Sequence, residues 1–358
     1  MISLGTLFKR KPAPLLGIDI SSSSIKLVEL DHDPDGRLVL TRCAIEPLES
    51  GWITDGSIER FDEVAQAMRR LVKKSGTRTK NVAMGLPASA VITKKVVLPA
   101  GLTEQELEFQ VESEAHQYIP FSLDEVSLDF CVIGPTPGVP GDVDVLIAAS
   151  RKEKVQDRQG LAEAAGLTPV VLDIESFAAR LAVGRLIARL PQQGAGQIVA
   201  LFEIGAMTTS MQVLRDGLVL YDRDQAFGGA QLTQLLVRQY GFSVEEAEQK
   251  KRSGELPQDY TSAVLAPFVD SLSQEISRAL QFFFTSTPFN RVDHVMLAGG
   301  SAPLAGLTEA VTRHASFPCS LVNPFDGMEI GKDVRAARMG REAPSYLTSC
   351  GLALRRFP

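Results

Sequence analysis

The chain has 358 residues, 44% of them hydrophobic, and a formal net charge of -6, so it should fold as two or three units and offers no basic field for nucleic-acid backbones. Four scattered cysteines (Cys43, Cys131, Cys319, Cys350), no Cys-x-x-Cys pair and only four histidines favour neither a disulfide framework nor a structural zinc site and suit a reducing compartment. No apolar run reaches the roughly 20 residues of a membrane helix, and the apolar part of "MISLGTLFKRKPAP" is too short for a secretory signal, so a soluble, cytoplasmic protein is expected.

Residues 1–13 read as a tail in which Ile2, Leu4, Leu7 and Phe8 with Lys9, Arg10 and Lys11 can dip into an anionic membrane surface or fray. Then come three strand-like runs, "LLGIDI", "SIKLVEL" and "RLVLTRCAIEPL", with a hairpin turn "DPDG" at residues 33–36. Val64, Met68 and Leu71 set a helix over residues 62–74, and "NVAMGLP" returns as a buried strand. This order is an α/β pattern.

The character changes near residue 90. "VITKKVVLP" is strand-like, and Thr103 with Glu106 forms a capping box that opens a helix ending before Pro120. Leu107, Val111, Ala115, Tyr118 and Ile119 make its apolar stripe. Two further strands, "EVSLDFCVIG" and "VDVLIAAS", complete an insert over residues 87–150, a size suited to a small domain. A helix over 152–165 leads into "LTPVVLDIESFAARLAVGRLIARL", a strand running into a helix, and "PQQGAGQ" at 191–197 reads as a linker.

Beyond the linker the opening pattern recurs. "LLGIDISSSSIKLVEL" set against "IVALFEIGAMTTSMQVL" places Asp19 opposite Glu203 and the turn of Ser21, Ser22, Ser23 and Ser24 opposite a turn holding Gly205, Ala206, Thr208 and Thr209. Turns rich in backbone N–H groups and hydroxyls bind anions, and a carboxylate before each can hold Mg²⁺ through water. Facing hairpins would grip a polyphosphate from both sides. A third element, "HVMLAGGSAPLAGLTEAVTRH", joins a strand to a helix starting near Pro303 through Gly299 and Gly300, where the backbone can lie against a flat ligand.

This ordered set resembles the actin/Hsp70 superfamily, and "EAHQYIPFSLDEVSLDF", "VVLDIESFAARLA", "GGAQLT", "MLAGG" and "NPFDGM" resemble, within it, the PilM family of type IV pilus assembly proteins. The resemblance implies an α/β, actin/Hsp70-like two-domain nucleotide-binding fold with an FtsA-type 1C insert subdomain. Its implied divisions are 14–86 with 151–190 as subdomain 1A, 87–150 as 1C, 195–227 with 291–358 as 2A, and 228–290 as 2B. Implied cofactors are ATP and Mg²⁺. Asp19, the four serines, Lys26 and the second turn would bind phosphates; Glu248, Lys251, Gly299, Gly300 and Ser301 would bind adenosine; Asp19 and Glu203 would face the metal. Glu175 would orient an attacking water or merely cap its helix. Ser21 stands where glycine is usual in actin-like ATPases and Glu203 where aspartate is usual, so slow or partner-dependent hydrolysis is expected.

The same resemblance implies a place beneath the bacterial inner membrane, contact with the assembly ATPase and other inner-membrane pilus components, and binding of the N-terminal cytoplasmic tail of PilN. The groove for that tail would be edged by Glu104, Glu108, Tyr118 and Phe121. Two alternatives stand beside this one. A filament-forming, FtsA-like cell-division or cytoskeletal protein would self-associate head to tail; the cell-division family is expected to carry a C-terminal amphipathic helix, whereas this sequence stops at "LALRRFP". A small-molecule kinase of the same superfamily would need a catalytic aspartate between the domains, for which Asp173 is the candidate.

Overall fold

The computed structural model describes residues 13–357; the proposed lipid-contacting tail of residues 2–11 lies outside them. Two sheets of like topology form the body. The first is built from β1 (Leu16–Ile20), β2 (Ser24–His32) and β3 (Leu38–Pro47) as an antiparallel meander. A short hairpin, β4 (Ile53–Thr54) and β5 (Ser57–Ile58), leads to α1 (Phe61–Ser75) and β6 (Asn81–Leu86), which lies parallel to β1.

Next in the chain, β7 (Val91–Pro99), α2 (Glu104–Tyr118), β8 (Val126–Pro135) and β9 (Asp142–Arg151) form a separate three-stranded sheet, ordered β7-β9-β8. Val96, Leu98, Val111, Val145 and Ile147 give it a core of its own. The capping box forms as read: Thr103 accepts from the Glu106 N–H, and Glu106 accepts from the Thr103 N–H. The chain then returns through α3 (Lys152–Ala164) to β10 (Thr168–Ile174), which pairs parallel to β6, and runs straight into α4 (Glu175–Ile187).

In the second sheet, β11 (Ile198–Ile204), β12 (Thr209–Arg215) and β13 (Leu218–Gln225) repeat the meander. Helices α5 (Gly229–Tyr240), α6 (Val244–Ser253) and α7 (Ala266–Ser286) follow, then β14 (His294–Ala298), parallel to β11. Thereafter come α8 (Leu307–Ala315), β15 (Cys319–Leu321), β16 (Glu329–Ile330), α9 (Ala336–Glu342) and α10 (Leu347–Leu354).

Three differences from the sequence expectations have physical causes. Helix α8 begins at Leu307, not near Pro303, because Gly306 sits in the left-handed region at φ +82° and breaks any helical run before it. The C-terminal segment, expected wholly in 2A, crosses back: β16 pairs with β3, and α10 packs on β1, β2, β6 and α4. Tyr118 leaves the apolar stripe of α2 and is 42% exposed, its ring covered instead by the Lys94 ammonium at 4.5 Å, a contact suited to a wet surface.

One apolar cluster ties the halves together. Val28, Leu30 and Leu40 from the first sheet meet Val199, Leu201, Leu214 and Met296 from the second, with Ala182 and Val183 of α4 and Cys350 of α10 between them. Burial at that end leaves the halves to diverge at the other, where the strand-to-turn ends of β1 and β11 lie.

Candidate active site

Those ends open into a cleft of about 2140 Å³, beyond the roughly 300–1,000 Å³ of ordinary small-ligand sites. Both hairpin turns line it, as do Gly299, Gly300 and Ser301 and, from α6, Glu248 and Lys251.

In the first hairpin Asp19 and Lys26 are direct cross-strand partners, so their side chains share a face. Lys26 Nζ donates to Asp19 Oδ2 at 2.8 Å and to Ser21 Oγ at 2.8 Å. The Ser21 N–H donates to the Ser24 carbonyl at 3.0 Å, closing the serine turn. Ser21, Ser22, Ser23 and Ser24 all line the cleft.

The second hairpin is closed in the same way by the Gly205 N–H on the Thr208 carbonyl, 2.9 Å. Gly228 lies against this turn so closely that a Cβ there would stand 2.6 Å from the Ala206 carbonyl oxygen. Thr209, expected among the phosphate-binding residues, does not line the cleft. As the first residue of β12 it points inward, is fully buried, and donates to the Phe227 carbonyl at 2.9 Å. Strand alternation brings Ser210 and Gln212 to the cleft instead. The Gln212 Oε1, buried and without a hydrogen bond among the described residues, is an acceptor that water or a ligand must satisfy.

Glu203 has no lysine opposite it; its cross-strand partner is Ser210. Thr348, from α10, donates to its carboxylate at 2.9 and 3.2 Å. Burial first, and then the Asp19 charge, push Glu203 up to about 7. Glu175, the first residue of α4, also lines the cleft, and burial followed by Asp19 raises it to about 8. Room for Glu175 comes from Gly85, where a Cβ would stand 2.7 Å from Glu175 Cγ. Behind it Arg158, 2% exposed, donates to the carbonyls of Gly85 and Gly56 and opposes the rise at Glu175. Neither Arg158 nor Thr348 stands out as a site residue in the sequence, because each arrives from a distant helix; "SCGLALRR" from Ser349 resembles a connecting helix but does not single out Thr348.

Gly299, at φ +91°, turns the chain where a side chain would collide with the Ile204 carbonyl at 2.4 Å. Across the cleft Lys251 Nζ donates to Glu248 Oε1 at 2.9 Å and to Thr233 Oγ1 at 2.7 Å, and Thr233 also bonds Glu248. The pair is therefore fixed by α5. Asp173 is not brought to the cleft: it accepts from Arg355 Nε at 2.6 Å. Of the expected groove residues, Glu104 and Glu108 are exposed on α2, and the Arg151 guanidinium lies 4.0 Å over the Phe121 ring. Both aromatic residues, Tyr118 and Phe121, lie outside the main cleft.

Among the described residues no three His, Cys, Asp or Glu side chains converge as direct metal ligands. Asp19 is already paired with Lys26 and Glu203 with Thr348. Such carboxylates fit a Mg²⁺ ion carrying its own water and held mainly by substrate phosphates, not an all-protein cage.

Among solved structures, the chain is similar to a PilM-PilN type IV pilus biogenesis complex, with 29% identity and a TM-score of 0.78 over 96% of this chain and 98% of that one. It also resembles the ethanolamine utilization protein EutJ from Carboxydothermus hydrogenoformans, with 17% identity and a TM-score of 0.57 over 97% and 91% of the two chains. A nucleotide-free diol dehydratase-reactivating factor matches at 12% identity and a TM-score of 0.52 over 96% and 99%. These last two speak to the fold alone. The family described as "Type IV pilus assembly protein PilM" matches residues 17–357, which takes in both hairpins, the three-stranded unit and α10. With that match, the chain belongs to the type IV pilus assembly PilM family.

Proposed function

We propose that the chain binds Mg²⁺·ATP between its two hairpins and works in type IV pilus assembly as a peripheral component on the cytoplasmic side of the inner membrane, holding the N-terminal tail of PilN. The observation that carries the nucleotide part is the convergence of Asp19 and Glu203, each the penultimate residue of its strand, on one cleft with the Gly299–Gly300 turn. The serine turn and the Gly205–Thr208 turn would hold phosphates, Lys26 would offset their charge, and Gly299, Gly300, Glu248 and Lys251 would lie along the adenosine. Mg²⁺, when bound, would neutralise phosphate charge beside Asp19 and Glu203. Glu175 would orient a water and, once ionised, could accept its proton. Asp173, tied to Arg355, gives no support to a metabolite kinase.

The solved PilM-PilN complex motivates the partner. The three-stranded unit would correspond to subdomain 1C, and the tail would enter between that unit and the first sheet as an extended peptide, with main-chain pairing for affinity and side-chain pockets for specificity. Glu104 and Glu108 would form an acidic rim, with Tyr118 and Phe121 beside it. A synthetic PilN-tail peptide is expected to bind 1:1 by calorimetry and to crosslink to residues 87–150. Crosslinks confined to the helices after Gly228 would overturn this placement.

A further inference from the structure

We infer that Thr348 is a positioning residue for the metal-facing carboxylate Glu203, supplied from the opposite half of the molecule; this rests on the nucleotide reading above. Thr348 is 2% exposed and lines the cleft. Its hydroxyl spans both oxygens of Glu203, at 2.9 and 3.2 Å.

The two residues ride on different frames. Glu203 belongs to β11 in the second sheet. Thr348 belongs to α10, which is locked to the first half by backbone contacts that leave no room for side chains. A Cβ on Gly351 would stand 1.8 Å from the Ala178 carbonyl oxygen of α4, and one on Gly17 of β1 would stand 2.1 Å from the Ser349 carbonyl oxygen. Helix α10 is thus seated backbone to backbone on β1 and α4, and the Thr348 hydroxyl belongs to the frame that also carries Asp19.

Glu203 has one more methylene than aspartate and faces Ser210, not a cation, across the hairpin. A long, half-buried carboxylate without a fixed partner would sample several rotamers. The Thr348 bond selects one, in the way that outer partners orient the groups around a metal. Because the bond crosses between halves, the aim of Glu203 depends on how the halves sit. Substrate-filled and empty clefts would then present the carboxylate differently to Mg²⁺.

The test uses the full chain and its Thr348→Val, Thr348→Ser and Thr348→Ala variants, each checked for folding by circular dichroism. ATP affinity is measured by calorimetry with excess EDTA and again with Mg²⁺. Thr348→Val should shrink the ratio of the Mg²⁺ affinity to the EDTA affinity about tenfold, the size of effect that outer partners of metal sites have. Thr348→Ser should restore it. If the valine variant does not fold, the serine and alanine pair makes the same comparison. An unchanged Mg²⁺ gain in Thr348→Val or Thr348→Ala overturns the inference. Absence of any ATP binding by the unsubstituted chain would instead remove the nucleotide reading, and the inference with it.

Discussion

Consider Lys26→Met. The Lys26 ammonium is 2.8 Å from Asp19, and the two side chains are 10% and 7% exposed; Glu175 and Glu203 both feel Lys26 as a compensating charge. Removing one partner of such a pair leaves a buried charge unanswered, at a cost of about 3–5 kcal/mol. For lobes of this size 1 kcal/mol moves the melting temperature by roughly 2–4 °C, so Lys26→Met should melt roughly 6–20 °C lower in nucleotide-free buffer at neutral pH. Asp19→Asn alone should also destabilise. The double variant should recover much of the loss, because neither charge is then left without the other. Thermal melts of the three variants and the parent close a double-mutant cycle. A coupling energy below about 0.5 kcal/mol, typical of an exposed ion pair, would refute the claim that this pair holds the first hairpin's charge balance.

Glu175 and Glu203, raised to about 8 and about 7 from an ordinary 4.5, keep protons in the folded state that the unfolded chain has released. Stability of the metal-free protein should therefore fall as pH rises from about 5 to 8, and a higher melting temperature at pH 8 than at pH 6 would contradict this. Gly351→Ala, which would put a Cβ 1.8 Å from the Ala178 carbonyl, should cost more than about 3 kcal/mol, while Gly184→Ala in α4, with nothing within 4 Å, should be neutral or gain up to about 1 kcal/mol; similar melting temperatures for the two variants would refute the tight seating of α10. Phosphate release by the isolated chain should run below about 0.1 s⁻¹, against 1–10³ s⁻¹ for typical enzymes, and rapid multiple turnover would contradict it. Charge reversal at Glu104 and Glu108 should weaken binding of the PilN-tail peptide in low salt and matter little in high salt, so equal affinities at low salt would argue against an acidic rim.

Local signals carried the architecture well. The repeated strand, turn and strand around Asp19 and Glu203 is legible because alternation and turn chemistry lie within a few residues, and the Thr103 capping box marks its helix end by the same kind of local bond. What was lost depends on register or on distance. Thr209 sits one position past a turn, so a single step in strand alternation decides whether its hydroxyl meets the cleft or the Phe227 carbonyl. The two residues of β16 reach the first sheet from 290 positions away, through a pairing with β3 (Glu329 with Val39, Ile330 with Leu40) that no local pattern announces. Arg158 and Thr348 are ordinary helix residues until tertiary packing sets them behind Glu175 and Glu203, and Asp173 looked available until Arg355 was seen to hold it.

Whether the paired hairpins form a nucleotide site is decided by a crystal structure of the chain grown with Mg²⁺ and a non-hydrolysable ATP analogue. Phosphates are expected between the Ser21–Ser24 and Gly205–Thr208 turns, with the base beside Gly299 and Gly300. A nucleotide bound outside the cleft, or a cleft still empty at millimolar analogue, would contradict this expectation.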